Sequence, residues 1–592
     1  MKLSKPLVFY VVAFYIGCVS YVVFTDSVLL GAVFAASFLI IILLTVDKKF
    51  SLLIIGFFIA GTLGTISYYK ITFIDKIETI RITKNKDYYC VGRISGRNVI
   101  IEGNLGDIKE GDRILAQGKF ERQFDYSRGI VGRFYVDRFK LYKADALSSL
   151  HSIRRSSYKD FEKYLGKEKA AVVMSLCFGE TGYLSEEQKY DFQELGVIHA
   201  ISVSGFHMAI IYKILEGIAG FKASIAISFI YMIFTGAQPA TLRAFLMILV
   251  LKLSKKLFRN YDSLSALCFS ALIILALRPY YVFDVGFILS YLSTLGIILY
   301  YNNIRRAFFK LPKSINESLS LTLSAQVFSM AYAGMVFNNV SFGFLLGNII
   351  LLPMYTAIVV VGNIALLLIK AKYIFSVVCK LINIIILTVE GASYLLLKLT
   401  PPIVDISYTS SLAILVIVVC FMLTKKGFDK FKFVPLFVLG VLMLQDYSFF
   451  PRIDYINLGG RDGIILSYKA EKIFIHNLNE QLNEASINTK FTKIISNPSQ
   501  GVVFSLGGNY SIKMLPMKGY TKSSIDLEIC AYDNKTILTR NTEDFMDIDL
   551  KKYDIIKMPK QEYYPFKGKL TNKLPMVSYT VVFTKVYSLH KD

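Results

Sequence analysis

PLVFYVVAFYIGCVSYVVF, residues 6–24, carries no charged side chain, and two comparable runs follow it: VLLGAVFAASFLIIILLTV (28–46) and FSLLIIGFFIAGTLGTISYY (50–69). The hydrocarbon core of a bilayer needs about 20 apolar residues per helix, so each run is long enough to span it. More such runs recur between Ala200 and Leu444. A polytopic α-helical membrane protein is therefore the expected fold class. The first run lacks a small-residue cleavage site and has two apolar runs close behind it, which argues for a retained span and against a signal peptide.

Composition agrees. At 592 residues and 54% apolar side chains the chain is too long for one domain and too apolar for an ordinary soluble one. A net charge of +23 permits a polyanionic partner such as DNA or anionic lipid. The basic residues, however, cluster in short inter-helix loops: Lys252, Lys255, Lys256 and Arg259; Arg305, Arg306, Lys310 and Lys313; Lys425, Lys426, Lys430 and Lys432. The positive-inside bias of membrane proteins accounts for most of that charge. Seven scattered cysteines form no CxxC pair, so neither a zinc ribbon nor a disulfide framework is indicated.

Lys2 and Lys5 precede the first run, and Asp47, Lys48 and Lys49 separate the second from the third, which points the N-terminus and that loop to the cytoplasm. Residues 1–74 are thus about three N-terminal spans, and residues 75–145 face outward. This outer segment reads as short strands, Tyr88 to Ile94, Val99 to Ile101, Arg113 to Phe120 and Phe134 to Tyr142. Turns at Ser95-Gly96, Gly103-Asn104, Gly106-Asp107 and Glu110-Gly111-Asp112 separate them. A small β-barrel of the OB type fits that length. Residues 146–198 turn helical and amphipathic, a connector along the membrane surface that ends in a Gly-bracketed loop and a Ser185 helix cap. Residues 199–450 form a second membrane domain of about ten segments, several short or broken by Gly and Pro. Such breaks persist at membrane depth only against protein or a wet cavity. From 451 to 592 the chain is soluble again, with strands expected at Asp454 to Asn457, Gly463 to Tyr468, Lys472 to His476 and Thr536 to Thr539.

His199-Ala-Ile-Ser-Val-Ser204-Gly205-Phe-His207 holds the only histidines of the membrane core. Eight residues apart, they lie about 80° apart on an unbroken helix, a poor metal pair; a break at Ser204-Gly205 lets both face one cavity. A single membrane histidine more often packs or hydrogen-bonds, so a packing role and a functional one both stand. Ser202 and Ser204 beside His207 invite a serine-hydrolase reading, which the missing Gly-x-Ser-x-Gly elbow disfavours. Arg243 and Asp284 stand inside apolar segments, where an ionised group costs about 2.5–3.5 kcal/mol. They are expected to face protein or water, either as a structural pair or as pore-lining, gating residues. In the barrel segment, Lys76 to Asp145 holds 15 basic and 10 acidic residues, a net of +5. Its aromatics Tyr88, Tyr89, Phe120, Phe124, Tyr126, Phe134 and Tyr135 read either as a stacking platform for single strands or as barrel core and rim.

The 199–207 stretch closely resembles the Ser-Gly-x-His signature of the ComEC family of competence proteins, the membrane channels of natural transformation. Further elements follow in the family's order: Phe178-Gly179-Glu180-Thr181-Gly182-Tyr183-Leu184-Ser185, Thr235-Gly236 to Arg243-Ala244, and Arg278-Pro279 to Asp284-Val-Gly-Phe-Ile-Leu-Ser290. Gln326, and Asn348 to Pro353, fall where that family has Gln and Asn…Pro. Upstream, Phe124-Asp125-Tyr126 with Gly129-Ile130 resembles the end of its external OB-fold. The resemblance implies that one strand of DNA passes a pore containing His199, Ser204, Gly205, His207, Arg243, Asp284, Gln326 and Asn348. It also implies a separate external DNA receptor and a separate cytoplasmic ATPase. No Walker-type loop occurs in the chain itself. A cofactor is not expected, and the oligomeric state, monomer or homo-oligomer, is left open.

The tail departs from the family pattern. Full-length members carry a metallo-β-lactamase-like domain that opens with Leu-Asp-Val-Gly-Gln-Gly-Asp; here the run is Ile456-Asn457-Leu458-Gly459-Gly460-Arg461-Asp462. Leu538-Thr539-Arg540-Asn541 stands for Leu-Thr-Gly-Asp, and Met558-Pro559-Lys560-Gln561-Glu562 for a His-bearing motif. The tail holds only His476 and His590, while a di-zinc centre needs imidazoles and carboxylates converging on its metals. The expectation is a degenerate α/β domain without hydrolytic metals, in a channel and not an enzyme. A membrane-anchored metal-dependent nuclease, or a diverged envelope transporter, are the alternatives.

Overall fold

The computed structural model describes residues 5–70, 77–86, 89–103, 105–106, 108–201, 203–401, 403–445, 447–457, 462–469, 471–476, 493–496, 502–507, 509–515, 525–540, 552–558 and 577–588. Tyr88, Asn104, Asp107, Ser202, residues 458–461, Asn541, residues 559–562 and His590, all named above, lie outside them. The chain divides into two compact units, Met1–Tyr332 with Ser341–Ile403, and Ala333–Val340 with Val404–Asp592.

The first unit opens with three helices, α1 (Pro6–Asp26), α2 (Val28–Thr45) and α3 (Lys48–Tyr69), on the three expected spans. Pro6 begins α1, where its missing N–H costs nothing. Helices α1 and α3 meet at glycines: a Cβ on Gly17 would stand 2.1 Å from the Phe58 carbonyl oxygen, and one on Gly61 2.2 Å from that of Phe14. Small residues let membrane helices approach backbone to backbone, and here Thr62 Oγ1 donates across the contact to the Gly17 carbonyl at 3.1 Å.

Next comes a closed five-stranded barrel, the small barrel expected from the sequence. Its strands are β1 (Ile77–Lys86), β2 (Tyr89–Ile94), β3 (Arg97–Glu102), β4 (Arg113–Glu121) and β5 (Ile130–Leu141), in the order β1-β2-β3-β5-β4. The β3–β5 pairing is parallel and the others antiparallel. Alternation sends Ile80, Ile82, Ile94, Val99, Ile101, Ile114 and Phe134 inward, into a core continuous with Phe14, Tyr68, Tyr69 and Tyr280 of the helical part.

Helices α4 (Ala146–Leu165), α5 (Lys167–Phe178), α6 (Glu186–Glu194) and the single turn α7 (Ile198–Ile201) follow. The expected Ser185 cap is present: Ser185 Oγ accepts from the Gln188 N–H at 3.1 Å, and Gln188 Oε1 accepts from the Ser185 N–H at 3.2 Å. The amphipathic connector expected over 146–198 needs correction at α5. Residues 170–178 are all buried, packed among α4, α13 (Phe344–Leu368) and α14 (Lys372–Leu399). The run AAVVMSLCF has no polar face, and a helix apolar all round belongs inside a protein or a membrane.

The remaining helices are α8 (Gly205–Phe234), α9 (Pro239–Lys256), α10 (Ser263–Leu277), α11 (Val285–Ala307), α12 (Lys313–Phe337), α15 (Tyr408–Lys425) and α16 (Val434–Gln445). Helix α8 kinks at Gly220, whose φ is 71°, and α13 carries Pro353 within it. Among the described residues nine helices are long and apolar enough to cross a membrane: α1, α2, α3, α8 and α11 through α15.

In the second unit a short pair, β6 (Asn339–Val340) with β7 (Val404–Asp405), accompanies α15 and α16. The tail holds β8 (Ser448–Asn457), β9 (Asp462–Lys469), β10 (Glu471–His476), β11 (Lys493–Ser496), β12 (Val503–Gly507), β13 (Tyr510–Met514), β14 (Leu527–Ala531), β15 (Asn534–Thr539), β16 (Asp554–Lys557), β17 (Val577–Val582) and β18 (Lys585–Ser588). They form two sheets, β11-β10-β9-β8-β17-β18 and β12-β13-β14-β15-β16. One core joins them, with Ile453, Tyr455, Ile464, Leu466, Ile512, Leu527, Leu538 and Tyr579 at its centre. All four expected tail strands are there, in β8, β9, β10 and β15. Of the expected α/β character, the described residues carry only the β half.

Candidate functional site

The residues from Glu194 to Val197 are held against α13 and the turn before it. Ser341 Oγ donates to the Glu194 carbonyl at 2.5 Å, and a Cβ on Gly347 would stand 2.4 Å from the Leu195 carbonyl oxygen. The helix does break beyond them, since α7 ends at Ile201 and α8 starts at Gly205.

The break separates the two histidines. His207 is wholly buried, and its Nδ1 accepts the Ser204 backbone N–H at 3.2 Å, so this ring caps the start of α8. Its Nε2 is a buried polar atom with no partner among the described residues. His199 hydrogen-bonds to the Gly196 backbone and sits within electrostatic range of His207. His199 itself is exposed.

Arg243 reaches this break from α9. Its Nη1 donates to the Ser290 carbonyl and to Thr294 Oγ1, both on α11. A Cβ on Gly205 would stand 2.6 Å from Arg243 Nη2 and 3.2 Å from Ala244 Cβ. Asp284 does not pair with Arg243. It is the N-cap of α11, accepting the Phe287 N–H at 2.7 Å, where a carboxylate suits the helix dipole. Asn348 Nδ2 donates to Thr322 Oγ1 at 3.4 Å, tying α13 to α12, while Gln326 Oε1 accepts from Ser329 Oγ of its own helix at 3.2 Å. The structure thus gathers His199, Ser204, Gly205, His207 and Arg243, with Asn348 next to the Gly347 contact. Asp284 and Gln326 make their contacts elsewhere. Sequence reasoning missed Ser290 and Thr294 as partners of Arg243. Their i, i+4 spacing in an apolar run is the signal that marks them.

The Gly179-Glu180 loop is an anchor. Arg154 of α4 is buried and donates to Glu180 Oε1 at 2.5 Å, with its guanidinium 5.4 Å from the Phe234 ring. Tyr158 stacks on Tyr183 at 3.9 Å.

Of the barrel aromatics read either as a stacking platform or as core and rim, Phe124 and Tyr126 contact the helices. Phe124 and Tyr126 pack edge-on against Tyr69 at the end of α3, and the Tyr126 hydroxyl lies 2.9 Å from Thr25 Oγ1 of α1. Tyr68 donates to the Gly129 carbonyl at 2.8 Å. Phe134 is core, and Tyr135 is exposed at the rim. An open groove of about 460 Å³ lies between Arg81, Arg93 and Arg113, with Glu78 and Ser95 beside them. Two of those cations are committed: Arg81 forks onto Asp145, and Arg113 lies 3.8 Å from the same carboxylate. The Arg81 guanidinium holds the Asp145 carboxyl well below the usual carboxylate range.

In the tail, two remnants noted in the sequence meet. Arg540 donates to Asp462 at 2.7 Å, and the buried Asp462 also accepts the Ile525 N–H at 3.1 Å. Burial pushes the Asp462 carboxyl up, and Arg540 opposes it. Among the described residues no group of three or more His, Cys, Asp or Glu side chains is arranged to hold a metal ion.

Residues 176–427 match the family described as competence protein. Among curated proteins, ComE operon protein 3 of Bacillus subtilis (strain 168) is 28% identical over 223 residues, 36% of this chain and 28% of that protein. An uncharacterized protein of Aquifex aeolicus (strain VF5) is 26% identical over 194 residues, 32% of this chain and 47% of that protein. The chain therefore aligns with less than half of either relative. No solved structure matches it.

Proposed function

Residues 176–427 of this chain belong to the competence protein family, and on that premise we propose that the chain passes single-stranded DNA across the bacterial cytoplasmic membrane during natural transformation. The observation that carries the reading is the interrupted helix at Ser204-Gly205. An exposed His199 lies within electrostatic range of His207 there, and Arg243 packs against Gly205. A pore for a polyanion needs a wet path that binds weakly enough to release the chain, and small residues at a helix break make room for one. The barrel, which we read as OB-like, stands outside the cell, and the N-terminus inside, in keeping with the flanking Lys48 and Lys49. Delivery falls to a separate external receptor and motive force to a separate cytoplasmic ATPase, since the chain has no Walker-type loop.

We read the tail as a shortened metallo-β-lactamase-like domain, and the chain as a channel without nuclease activity. The described residues do not fit a di-zinc centre: the Asp462 carboxylate is engaged by a guanidinium, where such a centre needs imidazoles and carboxylates converging on cations. The test is internalisation of labelled DNA by the host, comparing wild type, a deletion and the His199→Ala, His207→Ala double variant. Deletion is expected to leave DNA bound at the surface and to abolish its entry. Unchanged entry in competent deleted cells overturns the reading.

A further inference from the structure

Several cations of the first unit have acidic partners. Lys252, on the same helix as Arg243, contacts both Glu216 oxygens at 2.6 Å. Arg154 has Glu180, and Lys5 has Asp262. Arg243, like Arg278, has only a carbonyl and a hydroxyl as partners, and among the described residues no carboxylate lies within ion-pair distance of it. Asp284, the acid of the neighbouring motif, is spent as a helix cap. A guanidinium held among apolar helices without a counter-charge is an unfavourable arrangement that an anion would relieve.

The geometry presents a place for that anion. Nη1 is anchored on α11, which leaves the opposite edge of the fork. Nε is a buried donor with no partner, and Nη2 lies against Gly205. Arg243 is only partly buried, and Ser204 and Gly205 beside it are partly accessible too. Two parallel N–H groups of a guanidinium match two oxygens of a phosphate. We propose that the Nε–Nη2 edge of Arg243, which lies against Gly205 at the helix break, is an anion site occupied in turn by phosphodiester groups of the passing strand. The site rests on the transport reading above and names the group that touches the substrate.

The test compares full-length wild type, a deletion, Arg243→Gln and Arg243→Lys for internalisation of labelled DNA in the host, with melting of each purified protein in detergent. Arg243→Gln is expected to lower entry at least about tenfold, and Arg243→Lys, which keeps charge but loses the fork, about threefold. Arg243→Gln gives up the bonds to Ser290 and Thr294 and is expected to melt somewhat lower while reaching wild-type membrane levels, and Arg243→Lys is expected to keep both. Wild-type entry in Arg243→Gln overturns the site and leaves the transport reading standing. Lower melting together with lower membrane levels in both variants makes Arg243 a structural clamp, which also overturns the site. Unchanged entry on deletion removes the transport reading itself.

Discussion

Gly205 and Arg540 show how much a single side chain decides here. A methyl at Gly205 would press on Arg243 Nη2 and Ala244. Gly205→Ala is therefore expected to destabilise the helical part by about 1–3 kcal/mol, as overpacking does, read as a lower melting temperature in detergent, and to reduce DNA entry. Arg540→Ala leaves Asp462 buried without its cation, and removing one partner of a buried pair costs about 3–5 kcal/mol. Pulse proteolysis of the full chain should show the tail opening at lower denaturant, and Asp462→Asn combined with Arg540→Ala should recover part of the loss. Both residues stood out in the sequence, one as the Gly of Ser-Gly-x-His and the other in place of an expected Gly. Their partners did not: Asp462 opens β9 of one sheet, Arg540 follows β15 of the other, and they meet only once the tail folds.

Element-scale behaviour follows from caps and contact surfaces. Asp145 both caps α4, accepting the Ser148 N–H at 3.0 Å, and receives Arg81 of β1, so one carboxylate fastens barrel to helix. Its folded-state affinity for protons is depressed, so the ionised form contributes stability that is complete above the unfolded value of about 3.9 and is lost as pH falls through the lower folded value. Hydrogen exchange at the start of α4, corrected for intrinsic rates, should hold steady from neutral pH to about 4 and rise below it. Asp145→Asn should exchange faster at neutral pH and lose that dependence. In the membrane, Gly17→Val or Gly61→Val would drive α1 and α3 apart, since even a Cβ there lies 2.1–2.2 Å from a carbonyl oxygen. Lower melting and earlier proteolysis of the N-terminal helices would register it. The spans themselves were legible because an apolar run is a local property. The burial of α5 was not, because charges on flanking residues of 154–169 mask a helix that is apolar only from residue 170 onward.

At the scale of the whole molecule, the barrel of the first unit is docked to the helix ends by Tyr69, Phe124, Tyr126 and the Tyr68–Gly129 hydrogen bond. Replacing Phe124 and Tyr126 together by Ala should raise hydrogen exchange along β5 and at the end of α3 while leaving the barrel core protected. The sequence by itself determined the membrane class, the three leading spans, a small barrel of short strands, the Ser185 cap and the tail strands. Each depends on periodicity or capping within a few neighbouring residues. It also singled out the break at Ser204-Gly205, because Gly and Ser beside histidine in an apolar run carry a local signal. Only the tertiary structure decided that His207 caps a helix while His199 stays exposed, that Arg243 binds α11 and not Asp284, and that Phe124 and Tyr126 pack against the end of α3. Those outcomes turn on which distant groups satisfy a buried donor or cover an aromatic face, and partners 40 or more residues apart are fixed by packing alone.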